Sequence, residues 1–229
     1  MLSWFGQNLM KASNISNMFL GYEKLHFKCL STERDFQLLQ SIFADADGIR
    51  LPIDYLQKGR AYICFNDHLE AQGGFALIDQ GPYRTLEQIP ADSIRTVETE
   101  LTEITAVCLS SGGSLRRLRY WSYMIGATLT GPTHQLVYSV DVDKSPLRER
   151  IFNHIRTHTL YEGPVKQLAG MSSIAHEAVE LTSKTHLAKG FLKLAFLETG
   201  KANPALAVRY YLSPRIGLGV QKLRSLALW

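Results

Sequence analysis

The stretch ELTEITAVCL-SSGGS-LRRLRYW, residues 100–121, decides how the rest of the chain is read. It opens on an acid and runs on through alternating apolar and β-branched residues, the pattern of a buried strand. Five small residues break the run, and a segment carrying Arg116, Arg117 and Arg119 comes out of the break. Helical spacing follows, with Leu115, Leu118, Trp121 or Ser122 and Ile125 along one face, closed by Gly131-Pro132. At such a helix start the N–H groups of Gly112, Gly113, Ser114 and Leu115 stand unpaired, and with the helix dipole they favour an anion. Arg116 and Arg117 add charge-assisted donors of bidentate geometry. Taken locally, the same residues also read as a tight turn followed by a solvated helix face. What surrounds the stretch separates the two readings.

Upstream, KLHFKCLS (24–31) alternates like a strand. Ser31 or Thr32 then stands before Glu33 and Asp35 as an N-cap, and helical spacing runs on to Gly48. RAYICFND (60–67) and GGFALID (73–79) are two apolar runs joined by a short polar connection, a hairpin signal. YRTLEQIPADSIRTVE reads as a loop-rich crossover with a short helical piece. Downstream, HQLVYSVDVD (134–143) is a strand, and Ser145-Pro146 starts a helix. LYEGPVKQLAG and HEAVELTS form the closing pair of strands. This order is not the strict alternation of a dinucleotide-binding fold, and GxGxxG is absent. It requires an α/β (α+β type) architecture: a mixed, mostly antiparallel sheet with helices on both faces.

Composition limits the classes further. The chain has 229 residues, 45% hydrophobic and 20% charged, enough for one sizeable folded domain. No run approaches the roughly 20 apolar residues that span a bilayer. The opening segment, with Trp4, Phe5, Leu9 and Met10 on one face, is too polar for a secretory signal. Cys29, Cys64 and Cys108 stand singly, without zinc or redox spacing, and read as buried free thiols of a cytoplasmic protein. The net charge of +4 hides an asymmetry. Residues 184–229 hold eight Lys/Arg against Glu198 alone, about +7, so the remainder carries about −3. Three segments follow: 1–21, helical; 22–183, the main domain; and 184–229, a basic amphipathic helical extension.

With the strands in place, the chain resembles the GCN5-related N-acetyltransferase (GNAT) superfamily over about residues 22–183. ELTEITAVCLSS is similar to that family's fourth strand and phosphate loop, and DVDKSPLRERIFNHI to its fifth strand and following helix. The resemblance implies that these two strands splay, that the arm of an acyl-thioester passes between them, and that its phosphate meets the next helix's N-terminus. It implies acyl-CoA or an acyl carrier protein as donor, with no metal. Two departures stand out. The glycines of the loop are adjacent rather than spaced by one residue, and Phe152 occupies the position where a tyrosine often protonates the leaving thiolate. Both are similar to divergent branches that move long acyl chains, the N-acyl amino acid and acyl-homoserine-lactone synthases. They also suit a GNAT-fold binding or regulatory module that has lost catalysis.

Acyl transfer to an amine needs a base, a polarised carbonyl and a protonated leaving group. Glu100 and Glu103 are an odd number of residues apart and so face opposite sides of the strand. Glu103 matches the family's acid and is the expected base, with an outward strand-edge charge as the alternative. Backbone amides near Val107 and Leu109 are expected to polarise the carbonyl. Asp141 either holds the acceptor's ammonium or ends the fifth strand, and Asp143 reads as a helix cap. His154 and His158 alone among the histidines have helical i,i+4 spacing, too little for a metal site. In the basic extension, Phe191, Leu192, Leu194, Ala195 and Phe196 alternate with Lys189 and Lys193. Such a helix packs on its own domain, meets an acidic partner such as acyl carrier protein, or touches a membrane surface. Tyr210, Tyr211 and Trp229 beside arginines offer stacking for nucleic acid, but no folded nucleic-acid motif accompanies them.

Overall fold

The computed structural model describes residues 25–94, 100–110, 114–141, 158–165 and 175–190. Seven strands form one sheet in the order β1-β2-β3-β4-β5-β7-β6. They are β1 (His26–Cys29), β2 (Gly59–Phe65), β3 (Ala71–Ile78), β4 (Leu101–Leu109), β5 (Gln135–Asp141), β6 (His158–Val165) and β7 (Ala175–Ser183). Every neighbouring pair is antiparallel except β4 and β5, which run parallel. The helices are α1 (Glu33–Asp47), α2 (Ile53–Leu56), α3 (Arg84–Glu87) and α4 (Ser114–Leu129), with a 3-10 turn at Ala91–Ile94 and helical backbone over 184–190. The expected mixed sheet with helices on both faces is the one observed.

Local chemistry accounts for the boundaries. Thr32 caps α1 by accepting from the Asp35 N–H, and Gly48 ends it in the left-handed conformation at φ 73°. Phe36, Leu39 and Phe43, spaced for one helix face, carry α1 onto Ile63, Ala76, Ala106 and Cys108 of the sheet. The approach is close at Gly74, where a Cβ would run into Leu39 and the Tyr62 carbonyl. On the opposite face Tyr120, Met124, Ile125 and Ala127 of α4 pack on Phe75, Leu77, Ile104 and Tyr138. Of the expected face, Ile125 is buried and Trp121 packs partly against this core, and the buried stripe also takes in Tyr120, Met124 and Ala127. Tyr120 is held there by its hydroxyl, which donates to the Gly74 carbonyl. Cys64 and Cys108 are buried as expected, and burial pushes the Cys64 thiol up to about 12. Cys29 is exposed, a correction that follows from its place on the edge strand β1.

One irregularity reorganises β4. Its pairing with β3 passes from Ala76–Thr105 to Gly74–Cys108, so one extra residue enters β4. Ala106 takes up the extra length at φ 52°, a conformation that a residue with a Cβ seldom adopts. The alternation of β4 changes phase there. Ile104, Val107 and Leu109 face α4, whereas Ala106 and Cys108 face α1.

Candidate functional site

The fork between β4 and β5 is the open feature of the sheet. The two strands pair at Leu101–Gln135, Thr102–Leu136 and Glu103–Val137. Beyond that rung β4 runs to Leu109 along β3, and β5 runs to Asp141 along β7. The bulge at Ala106 bends β4 just past the last shared rung. Ser110 N–H donates to the Gln72 carbonyl at 2.7 Å, so strand alternation turns the Leu109 N–H away from β3, toward the fork. Val107, two residues back, shares that phase.

Glu103 stands at the vertex, on the last rung that joins the two strands. It is 1% exposed. Its Oε2 accepts from the Tyr55 hydroxyl at 2.7 Å and from the Thr85 N–H at 3.3 Å. The Thr85 side chain hydrogen-bonds the same carboxyl. Burial raises the carboxyl above its usual range, opposed by the hydrogen bonds from Tyr55 and Thr85 and by the charge of Arg84. Burial likewise pushes the Tyr55 hydroxyl well above its ordinary value, with the Glu103 charge adding to it. Glu100 is exposed and precedes the strand, so only one of the two acids enters the interior.

The first turn of α4 is braced against the ends of the strands. Arg116 donates to the Gln72 side-chain oxygen and, at 3.2 Å, to Ser110 Oγ; Ser110 Oγ in turn donates to Gln72 at 2.9 Å. This triangle ties the first turn of α4 to the ends of β3 and β4. Arg117 is half-buried beside it, and Arg119 is buried, its guanidinium pKa lowered by burial against the opposing charge of Asp67. Ser114 is the first residue of α4. Gly112 and Gly113 lie outside the described residues, as do Asp143, Ser145, Phe152, His154 and everything after 190. Asp141 ends β5 opposite Glu177, so its backbone lies at the far tip of the fork. His158 is exposed on β6. Among the described residues no group of His, Cys, Asp and Glu is placed to hold a metal ion, and no helix is long and apolar enough to cross a membrane.

Tyr55, Thr85 and Arg84 were not found by sequence reasoning. Tyr55 is 48 residues from Glu103 and sits in a four-residue helix, so no periodicity marks the pair. The start of the basic extension does pack on the main domain. Leu187 is fully buried in the α4-side core, and Lys184 Nζ donates to the Gly131 carbonyl at 2.5 Å.

No protein-family model and no curated protein sequence matches the chain. Among solved structures it is similar to FeeM, an N-acyl amino acid synthase from uncultured soil microbes. The identity is 12% and the TM-score 0.52, over 69% of this chain and 89% of that one. It is also similar to the AHL synthase LasI, at 13% identity and TM-score 0.47 over 73% of this chain and 94% of that one. NAA60 of Arabidopsis thaliana, in complex with a bisubstrate analogue, gives 11% and 0.49 over 70% of this chain and 99% of that one. At such identities the likeness is one of fold, and the first match carries it. The chain has the GNAT fold that its strand order implied.

Proposed function

We propose that the protein is an N-acyltransferase that moves an acyl group from an acyl-thioester, acyl-CoA or acyl carrier protein, to an amine. The observation that carries this reading is the fork itself: a parallel pair that opens immediately past a buried carboxylate. An opening between two sheet strands leaves backbone N–H groups without strand partners, and a thioester carbonyl entering there meets them as donors. The Leu109 N–H has the direction for that role, and Val107 lies on the same side. Glu103 is the base. Its raised pKa brings the carboxylate nearer the working range of a general base.

In the reaction the neutral amine nitrogen attacks the thioester carbonyl carbon. The new C–N bond forms as the C–S bond breaks, and the nitrogen's proton passes to Glu103 directly or through one water. The thiolate takes up one proton through solvent as Glu103 gives its proton back, so that the amine's proton is balanced by the thiol's. Arg116 fixes the first turn of α4 at the mouth of the fork, and Arg117 is the adjacent cation for the donor's phosphate. Asp141, at the outer tip of β5, is the candidate partner for the acceptor's ammonium.

The test is a matrix assay with the full chain. Acyl-CoA and acyl carrier protein donors of short and long chain are each offered amino acids, polyamines and a peptide N-terminus. Free thiol is followed together with product mass. Amide product with stoichiometric thiol release is the expected result. Absence of thermal stabilisation and of product with every donor overturns the reading.

A further inference from the structure

Behind the fork lies a residue with no part so far. Tyr55 is buried in α2, and its hydroxyl bridges two elements. It donates to Glu103 Oε2 at 2.7 Å and accepts from the Arg84 N–H at 3.0 Å. A phenol has one proton, and here that proton is committed to the carboxylate. The ring is held from outside as well, with the Arg84 guanidinium and the Lys58 ammonium each 5.8 Å from its centroid. Thr85, the next residue of α3, brings its N–H to the same carboxylate oxygen. Two elements thus converge on Oε2.

We propose that Tyr55 is a positioning residue for Glu103: its hydroxyl pins Oε2 against α2 and α3 and so fixes how the carboxyl is presented to the acceptor. This rests on the reading of Glu103 as the base and adds the residue that orients it. The titratable and charged groups facing the carboxyl are Tyr55 of α2 and Tyr83 and Arg84 at the start of α3, with Lys58 behind the Tyr55 ring. Its strand partners on β3 and β5, Ile78 and Val137, are apolar. A hydrogen bond to the charged form of a carboxyl favours that form. Without the Tyr55 hydroxyl, burial has less opposition and the carboxyl holds its proton to higher pH.

The experiment is a carbon-13 NMR titration of the full chain with labelled glutamate carboxyls, the Glu103 signal being assigned by its loss in Glu103→Gln. In Tyr55→Phe the Glu103 midpoint is expected about one pH unit higher than in the parent. The acid limb of kcat/KM should move with it, while KM for the donor stays the same. An unmoved midpoint in a folded Tyr55→Phe protein overturns the proposal. If that variant does not fold, the parent grown with 3-fluorotyrosine decides. The more acidic phenol is a stronger donor and should lower the midpoint, and no change overturns the proposal equally. The NMR readout needs no turnover, so the two ideas fail separately. A Glu103→Gln protein that keeps its turnover defeats the base, whereas a lost base with an unmoved midpoint defeats only Tyr55's role.

Discussion

The two ends of β4 are built on opposite plans. At its start the strand is flanked on both sides, by β3 and β5, and its side chains close a polar chain through the sheet. Thr102 donates to Asp79 at 2.7 Å and lies 2.6 Å from the Thr133 hydroxyl. Asp79 also pairs with Arg60, whose guanidinium reaches the Ala127 carbonyl at 2.8 Å, while Lys184 binds the Gly131 carbonyl. Two cations thus satisfy carbonyls at and just past the C-terminal end of α4, where the helix dipole favours positive charge. At its other end, among the described residues, β4 has β3 alone beside it, a bulge in its middle and, beyond, the braced first turn of α4. Both non-glycine residues with positive φ among the described residues, Ala106 and Leu69, belong to this open end. Strain gathers at the end where the proposed donor would enter, and locked charge at the other.

The comparison breaks first, and most visibly, at the vertex. Glu103→Gln keeps the shape and an acceptor for Tyr55 but removes the base. Turnover is expected to fall about 10²–10⁴-fold, the usual worth of general base catalysis, as measured by thiol release. Stability should move the other way. Because burial raises the folded carboxyl, its stabilising contribution is full below the ordinary carboxylate value and is lost as pH rises through the raised one. The variant should therefore match the parent in acid and melt above it at neutral pH. A variant that is inactive and also less stable at neutral pH would make Glu103 a structural clamp for α3 rather than a base.

The closed end should be the more costly one to cut in stability. Asp79→Ala leaves the Arg60 and Lys184 cations without the carboxylate charge that offsets their repulsion. The Arg60–Asp79 pair is partly exposed, so the loss expected from urea midpoints is about 2–3 kcal/mol, below that of a fully buried pair. The matching cut at the open end, Gln72→Ala, removes the acceptor shared by Arg116 and Ser110 and should cost under about 1 kcal/mol. Equal losses at the two ends would erase the contrast.

Much of this layout was legible in the sequence, because it is written locally. Thr32 and Gly48 bound α1, the runs on either side of HLEAQ pair as a hairpin, and residues 101–109 form the strand at the heart of the sheet. That Glu103 lies on that strand was also legible, whereas Glu100, expected on its other face, precedes β4. What escaped is long-range or energetically quiet. Ala106 carries no sign of a bulge, because alanine suits any regular element and its positive φ is imposed by the pairing with β3. Tyr55 meets Glu103 only after α2 has folded across the sheet. Arg116 reads as an anion ligand in sequence, yet it spends donors on Gln72 and Ser110, which pattern reasoning has no means to pair with it.

The smallest expected effect is at the tip of the β2–β3 hairpin, and its sign is the informative part. Leu69 sits there at φ 60° and 78% exposed. The turn around it is tightly specified: buried Asn66 accepts from the His68 and Glu70 N–H groups at 3.0 and 2.9 Å, and its amide reaches the Glu70 carboxylate at 2.8 Å. The left-handed conformation puts a Cβ too near the following carbonyl, and glycine is the residue that hairpins of this kind ordinarily place there. An exposed leucine loses little packing on truncation, so Leu69→Gly should stabilise the chain by up to about 1 kcal/mol. The gain is to be read as a higher urea midpoint with an unchanged slope. A loss instead would mean that the Leu69 side chain packs on a part of the chain outside the described residues. The gain, with turnover unchanged, would show that strain at the open end is carried by the loop and not by the fork.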